Sequence, residues 1–129
     1  MRIVLSHQSV IPIYVQIKEQ IKSSMLSGEL SENEQLPSIR QLARDLKVSV
    51  ITTTRAYNDL ELEGFIQIVP GKGCYVKKTD SEFIRVKFLT ETKDALKEAI
   101  RLGKMAGLNI HEIHKLLDEV EMMWRGKYN

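Results

Sequence analysis

The chain has 129 residues, 43% of them hydrophobic and 28% charged, with a formal net charge of +2. This composition is typical of a globular protein and excludes collagen-like or linker-like character, and the length suits one domain with an appendage. No apolar run approaches the roughly 20 residues of a membrane span, and the first residues lack a signal-peptide pattern. The one cysteine, Cys74, excludes an internal disulfide. We therefore expect a cytoplasmic protein with no membrane partner.

The first predicted element is a helix that begins at Pro12, a residue suited to a first helical turn. Ile17, Ile21 and Met25 recur at a helical period, and Gly28 is typical of a helix end. The polar residues 28–37 are predicted to form a loop. A second, short helix is predicted over residues 38–46, where the S-x-x-Q of Ser38 and Gln41 forms a capping box before an apolar stripe.

The next stretch, VSVITTTRAY at residues 48–57, is rich in β-branched residues, which favour a strand over a helix. If these residues formed a strand, however, alternate side chains would point to opposite faces, and neither face would be cleanly apolar. Thr53, Ala56, Tyr57 and Leu60 share one face of a helix, and Ser49 is a suitable N-cap. We therefore predict a helix from Ser49 to about Glu63, in which packing of the second half holds the unfavourable first half.

After this helix, FIQIV and CYVKK are β-rich and flank the turn PGKG, which predicts a hairpin with its tip at Gly71-Lys72-Gly73. A helix, a short helix, a third helix and a hairpin follow one another in the order of a winged helix-turn-helix. The fold class is therefore mostly α with a small β-hairpin, with this domain at residues 1–79.

Residues 80–129 are predicted to form a tail of two helices, the second opened by the N-x-x-E pair of Asn109 and Glu112. About fifty residues cannot bury two apolar stripes alone, so a second copy of the chain is expected to cover them. The predicted dimerisation residues are Phe83, Val86, Leu89, Leu96, Ile100, Ile113, Leu117, Val120 and Trp124.

Three sequence blocks, LPSIRQLARDLKVS, TTRAYNDLELEGFI and GKGCYV, resemble the GntR-type bacterial transcription regulators. They span residues 36–76, and PIYVQIKEQI at residues 12–21 also fits. The short two-helix tail is similar to the YtrA-like branch of that family. The resemblance implies a winged-helix DNA-binding domain and a helical dimerisation tail, in a homodimeric repressor that binds a palindromic operator, often of transporter genes.

The sequence departs from this family at the start of the third helix. Val50 stands where Arg or Pro is common, Ile51 where Asn or Thr often follows, and Thr53 where a core Val is usual. A strong base-reading arginine is therefore missing. Small β-branched side chains would instead allow close approach to a groove, with methyl groups against thymine C5-methyls and hydroxyls on bases or phosphates.

The positive charge is clustered, with four basic residues and one acid between residues 36 and 57 and three lysines without an acid between residues 70 and 79. We expect three parts of the domain to contact double-stranded DNA. These are the recognition helix, the N-terminus of a helix, which can bind a phosphate, and the tip of the wing. The expected DNA-binding residues are Ser38, Arg40, Ser49, Val50, Ile51, Thr52, Thr54, Arg55, Gly71 and Lys72. Taken singly, the serines are also ordinary helix caps, and the basic residues would suit a solvated face.

No other chemistry is indicated. His111 and His114 lack a third ligand, Cys74 suits a small packed residue better than a redox switch, and GKG lacks the P-loop spacing. We therefore expect no enzyme, no metal and no cofactor. Two alternatives stay open: a protein-interaction module on a winged-helix scaffold without specific DNA binding, and control by a small-molecule effector bound at a site that straddles subunits.

Overall fold

The computed structural model describes residues 1–78 and 81–128. The helices and strands in chain order are α1 (Ile13–Leu26), β1 (Gln35–Leu36), α2 (Ile39–Leu46), α3 (Val50–Leu62), β2 (Ile66–Val69), β3 (Gly73–Val76), α4 (Ser81–Met105) and α5 (Ile110–Tyr128). The mostly helical fold class with a β-hairpin and two C-terminal helices is confirmed. No helix in the described ranges is both long and apolar enough to cross a bilayer.

The chain divides into two compact units, Met1–Arg85 and Val86–Asn129. The first unit extends past the expected boundary at residue 79 because the start of α4 belongs to its core. Ile84 is only 2% exposed, and the Phe83 ring lies 5.7 Å from the Phe65 ring. Ile84, which the sequence analysis did not single out, is thus the buried residue of this turn.

The core of the first unit is the packing of α3 against α1 and α2. Ile17 and Ile21 from α1 and Ala56, Tyr57 and Leu60 from α3 are all fully buried. This confirms the prediction that these residues form one apolar face on each helix.

The β-branched first half of α3 is helical, as predicted. Five consecutive β-branched residues, 50–54, cost about 2–3 kcal/mol of helix propensity relative to alanine. Burial of Tyr57 and Leu60, both 0% exposed, contributes about 1.5–3 kcal/mol for each side chain, which outweighs that cost. Thr53 adds a tertiary anchor, since its buried hydroxyl donates to the Ile39 carbonyl at 2.9 Å.

A tight turn joins α2 to α3. Lys47 adopts a left-handed conformation (φ 56°) at the end of α2, and the Val48 amide donates back to the Ala43 carbonyl at 3.0 Å. The Tyr57 hydroxyl donates to the Pro37 carbonyl at 2.7 Å and so fixes the entry to α2. These bonds hold the start of α2 and the start of α3 in one arrangement.

Ser38 caps α2 as predicted, with its Oγ accepting from the Gln41 amide at 3.0 Å. The second hydrogen bond of the expected capping box, from the Ser38 backbone to the Gln41 side chain, is replaced by other contacts of Gln41. The Gln41 side chain donates to Asp45 at 2.6 Å and accepts from Arg44 at 2.9 Å. It therefore organises the charged side of α2.

The sheet has three strands in the order β1-β3-β2, all antiparallel. The hairpin of β2 and β3 was predicted, but β1 was expected to be loop. Leu36 of β1 pairs with Cys74 of β3, and two residues in a polar segment carry no strand pattern of their own. The Ile68 amide donates to Glu61 Oε2 at 2.6 Å, which ties the hairpin to α3.

In the second unit, α4 and α5 are joined by a turn in which Gly107 has a φ of 80°. Asn109 and Glu112 form the predicted capping box, with reciprocal bonds of 2.9 Å and 3.0 Å. The helices approach closely near this turn, where a Cβ on Gly103 would lie 2.9 Å from Ile113 Cδ1.

Two lysines of α1 hold the C-terminal end of α3. Lys18 Nζ lies 2.7 Å from Glu63 Oε2 and 3.3 Å from Asp59 Oδ2. Lys22 Nζ lies 2.8 Å from Glu63 Oε1 and 4.9 Å from the centre of the Phe65 ring. Burial alone would raise the pKa of Glu63, but hydrogen bonds from Lys18 and Lys22 and their charges lower it below its usual range.

We predict that Glu63→Gln lowers the free energy of unfolding at pH 7 by about 1–2 kcal/mol. This is less than for a fully buried pair, because the Glu63 side chain is 30% exposed. A carboxyl whose pKa is lowered by folding stabilises the native state above its unfolded pKa, and this contribution is lost as pH falls through the folded pKa. Urea unfolding should therefore show the two proteins converging as the pH falls through the folded pKa of Glu63.

The matched control is Glu98→Gln, which removes a carboxylate from the exposed Arg101 pair on α4. It should leave the unfolding free energy of the first unit unchanged. A Glu63→Gln deficit that stays constant with pH would contradict the ion-pair explanation.

Candidate nucleic-acid interface

Two neighbouring hollows mark one face of the first unit, here called the contact face. One, of about 440 Å³, is lined by Arg40, Ala43, Arg44, Lys47, Val48 and Val50. The other, of about 400 Å³, is lined by Val50, Ile51, Thr54, Arg55, Asn58 and Asp59. Val50 borders both, so the structure brings the start of α3 beside the basic side of α2. This places together five of the ten residues expected to contact DNA: Arg40, Val50, Ile51, Thr54 and Arg55.

Ser38 and Ser49, the caps of α2 and α3, are both exposed at the start of their helices. Each side chain accepts a backbone N–H of its own helix, so the caps serve local structure first. The N–H groups of a first helical turn lack helical partners and face outward, as an anion requires.

The exposed tip of α3 is apolar. Ile51 is 82% exposed and Val50 is 46% exposed. Ser49 and Thr52 share a hydrogen bond of 2.9 Å between their hydroxyls, which occupies the Thr52 hydroxyl locally. Thr54 lines the second hollow on the same face.

Arg55 stacks on an aromatic ring. Its guanidinium carbon lies 3.8 Å from the centre of the Tyr14 ring of α1, a geometry in which a cation is attracted to the ring face. Tyr14 is only half-buried, and its ring packs against the Arg55 guanidinium. The pair is 41 positions apart in sequence, so no local pattern indicates it.

The wing carries Gly71 and Lys72 at its tip, and neither residue lines the two hollows. Gly71 has a φ of 75°, and Gly73 has a φ of 132° while already pairing with Val69 in the sheet. The Lys72 carbonyl accepts from the Tyr75 hydroxyl at 3.2 Å and from Gln35 Nε2 at 3.5 Å. The tip is therefore braced from β1 and β3, and Lys72 is exposed on it.

Further residues of the contact face, among them Asn58, Arg44 and Lys47, were not among the residues expected to contact DNA. Asn58 lines the second hollow four residues after Thr54, so helical periodicity would have found it. Arg44 lines the first hollow and donates to Gln41.

The electrostatics of this face favour an anionic partner. Arg40, Arg44, Lys47 and Arg55 are exposed. Asp59, the acid that lines the second hollow, accepts from Lys18 at 3.3 Å. The acid of this face is thus partly neutralised from within the protein, whereas its four basic residues remain exposed.

Cys74 lies in the central strand and is only 4% exposed. Burial raises the pKa of its thiol, and the charge of Glu61 raises it further. A protonated, enclosed thiol is a packing residue and not a reactive one. Among the described residues, no cluster of three or more His, Cys, Asp or Glu side chains has the arrangement to hold a metal ion.

Known bacterial regulatory proteins are similar to the part of the chain that carries this face. The family model for bacterial regulatory proteins of the gntR family matches residues 13–76. The chain is 31% identical over 119 residues to the HTH-type transcriptional repressor YtrA of Bacillus subtilis, covering 92% of each chain.

Two solved structures are also similar to this chain. The chain is similar to a transcriptional antiterminator from Listeria monocytogenes, with a TM-score of 0.69, 37% identity and coverage of 94% of this chain and 90% of that one. It is also similar to the DNA-binding domain of AraR in complex with operator ORE1, with a TM-score of 0.50, 29% identity and coverage of 59% and 93%.

Proposed function

Because the chain belongs to the GntR family of bacterial regulatory proteins and is a transcription regulator with a winged-helix DNA-binding domain, we propose that it represses its target genes by binding a palindromic operator as a homodimer. It is not an enzyme. The observation that carries the proposal is the contact face, where an exposed helix tip is flanked by unneutralised basic side chains. In a bacterium, such a protein acts in the cytoplasm on the chromosome, and transporter genes are the targets we propose.

In the proposed complex, the start of α3 enters the major groove with Val50, Ile51 and Thr54 toward the base edges. Arg40 and Arg55 flank this tip on either side and are placed to bind phosphates. Ser38 marks the start of α2, whose first N–H groups form a second phosphate seat. Lys72 at the braced wing tip reaches the adjoining minor groove or backbone.

The homodimer is proposed from the second unit. A groove of about 630 Å³ lies between α4 and α5 and has an almost wholly apolar lining, including Leu96, Ile100, Ile113, Leu117 and Val120. Many of the stripe residues are exposed, among them Leu96 at 46%, Leu117 at 51% and Val120 at 53%. A contiguous apolar surface of this kind calls for a partner surface, and an identical stripe on a second copy is complementary by symmetry. Two recognition helices then read half-sites spaced by roughly 10 bp or a multiple.

We predict that an operator selected from a random duplex library is palindromic and is bound with steep salt dependence. Arg40→Ala and Arg55→Ala should each lower the slope of log affinity against log salt by about 1.8, since each removes one phosphate contact per protomer worth about 0.9. Fluorescence anisotropy titrations at several salt concentrations measure this.

Lys97→Ala is the control, because it removes a charge whose side chain is 81% exposed on α4. It should leave the slope unchanged. If no sequence is enriched, and both arginine variants fold normally without altering salt dependence, the winged helix serves as a protein-interaction module instead.

We predict that the ring of Tyr14 positions Arg55 on its phosphate. Tyr14→Leu should weaken operator binding by about 1–3 kcal/mol per dimer, since the Arg55 side chain, no longer held by the ring, must lose roughly 0.5–1.5 kcal/mol of conformational freedom on binding in each protomer. Tyr14→Phe keeps the ring and should bind like the wild type in the same titration. Equal binding by the Phe and Leu variants, with equal thermal stability, would show that the stacking has no role.

We predict that Leu117→Asp converts the dimer to a monomer, because it places a charge in the apolar groove between α4 and α5. Met122→Asp is the matched control, since Met122 is 71% exposed on the same helix and does not line the groove. Sedimentation equilibrium should give a monomer for the first variant and a dimer for the second. A dimeric Leu117→Asp variant would place the interface elsewhere.

A further inference from the structure

The first turn of α3 exposes two aliphatic side chains where a DNA-reading helix usually presents polar ones. Ile51 is 82% exposed and Val50 is 46% exposed. Neither Val50 nor Ile51 favours the helix, because β-branched residues have low helix propensity. Neither contributes to the core, where Ala56, Tyr57 and Leu60 carry the packing of α3. Their placement is explained only by what they meet in a complex.

The hydroxyls beside them are already engaged. The Thr53 hydroxyl donates into the protein, to the carbonyl of Ile39 at 2.9 Å. The Thr52 hydroxyl and the Ser49 hydroxyl bond to each other at 2.9 Å. The exposed tip of the first turn of α3 is therefore mainly aliphatic, since the Ser49–Thr52 bond uses one of the two O–H donors beside Val50 and Ile51.

The nearby cations are held in arrangements that suit the backbone of DNA. Arg44 donates to Gln41 at 2.9 Å, and Gln41 in turn donates to Asp45 at 2.6 Å. The Arg55 guanidinium carbon lies 3.8 Å from the centre of the Tyr14 ring. A guanidinium that reads guanine must point both donors at O6 and N7 in the groove, whereas here Arg44 is bonded along α2 and Arg55 stacks against α1.

In the major groove, the apolar group that a base pair presents is the C5-methyl of thymine, whereas guanine and cytosine present hydrogen-bonding groups at these edges. We infer that Val50 and Ile51 are specificity-determining residues that read thymine methyl groups, so that each operator half-site carries A·T pairs with thymine methyls facing the start of α3. This inference rests on the proposed function and adds the base chemistry that the recognition helix selects.

The test replaces thymine by uracil, which keeps every hydrogen-bonding group and removes only the C5-methyl. In the operator selected from the random library, each thymine is exchanged in both half-sites, one symmetric position at a time. Loss of a buried methyl contact in each half-site should weaken binding by the wild-type protein about tenfold at one or two positions. Anisotropy titration at constant salt measures the change.

The assignment to particular residues comes from combining the base change with a protein change. Ile51→Ala and Val50→Ala should each abolish the preference for thymine over uracil at one position and leave it intact at the others. Leu62→Ala is the matched control, because Leu62 is an aliphatic residue 89% exposed on the same helix but outside the contact face. It should keep the full preference.

The methyl-reading inference and the proposed DNA-binding function can fail separately. If the selected operator binds with steep salt dependence but tolerates uracil at every position, or if both alanine variants retain the thymine preference, the methyl-reading inference is overturned and the DNA-binding proposal stands. If no operator is selected, both are overturned.

Discussion

The burial of the downstream half of α3 is the constraint on which the rest of the structure depends. Ala56, Tyr57 and Leu60 are completely enclosed against α1 and α2, and the free energy of that burial exceeds the propensity cost of the β-branched turns before them. Because the second half is held so firmly, the first half remains helical although only Thr53 of its β-branched residues is buried. Its other side chains are therefore available for contact with a partner.

Polar contacts then set the orientation of this helix. At the C-terminal end of α3, Lys18 and Lys22 form ion pairs with Glu63. Further toward its N-terminus, Thr53 and Tyr57 donate hydrogen bonds to backbone carbonyls at the start of α2. Breaking one partner of a partly buried ion pair destabilises the fold, and because such pairs are directional they also penalise a misplaced helix. The position of the α3 tip beside the basic side of α2 thus follows from contacts made at both ends of the helix.

Much of this could be predicted from the sequence, because the signals were local. Apolar periodicity identified the helices, and the caps at Ser38, Ser49 and Asn109 marked where they begin, all of which the structure confirms. The three sequence blocks also identified the family correctly, since they lie in the segment that its model matches. The assignment of the ten DNA-contacting residues and of the dimerisation stripe remains a prediction.

The features that the sequence analysis missed join residues far apart in the chain. Strand β1 exists because β3 offers it an edge, Gln35 braces a wing tip 37 residues away, and Tyr14 supports Arg55 across the α1–α3 contact. By itself, the sequence determined the fold class, the helix starts and the family, because periodicity and capping act within a few residues. Only the tertiary structure decided which exposed side chains share a face and which cation lies on an aromatic ring. Those pairings depend on how elements pack, and no pattern along the chain records them.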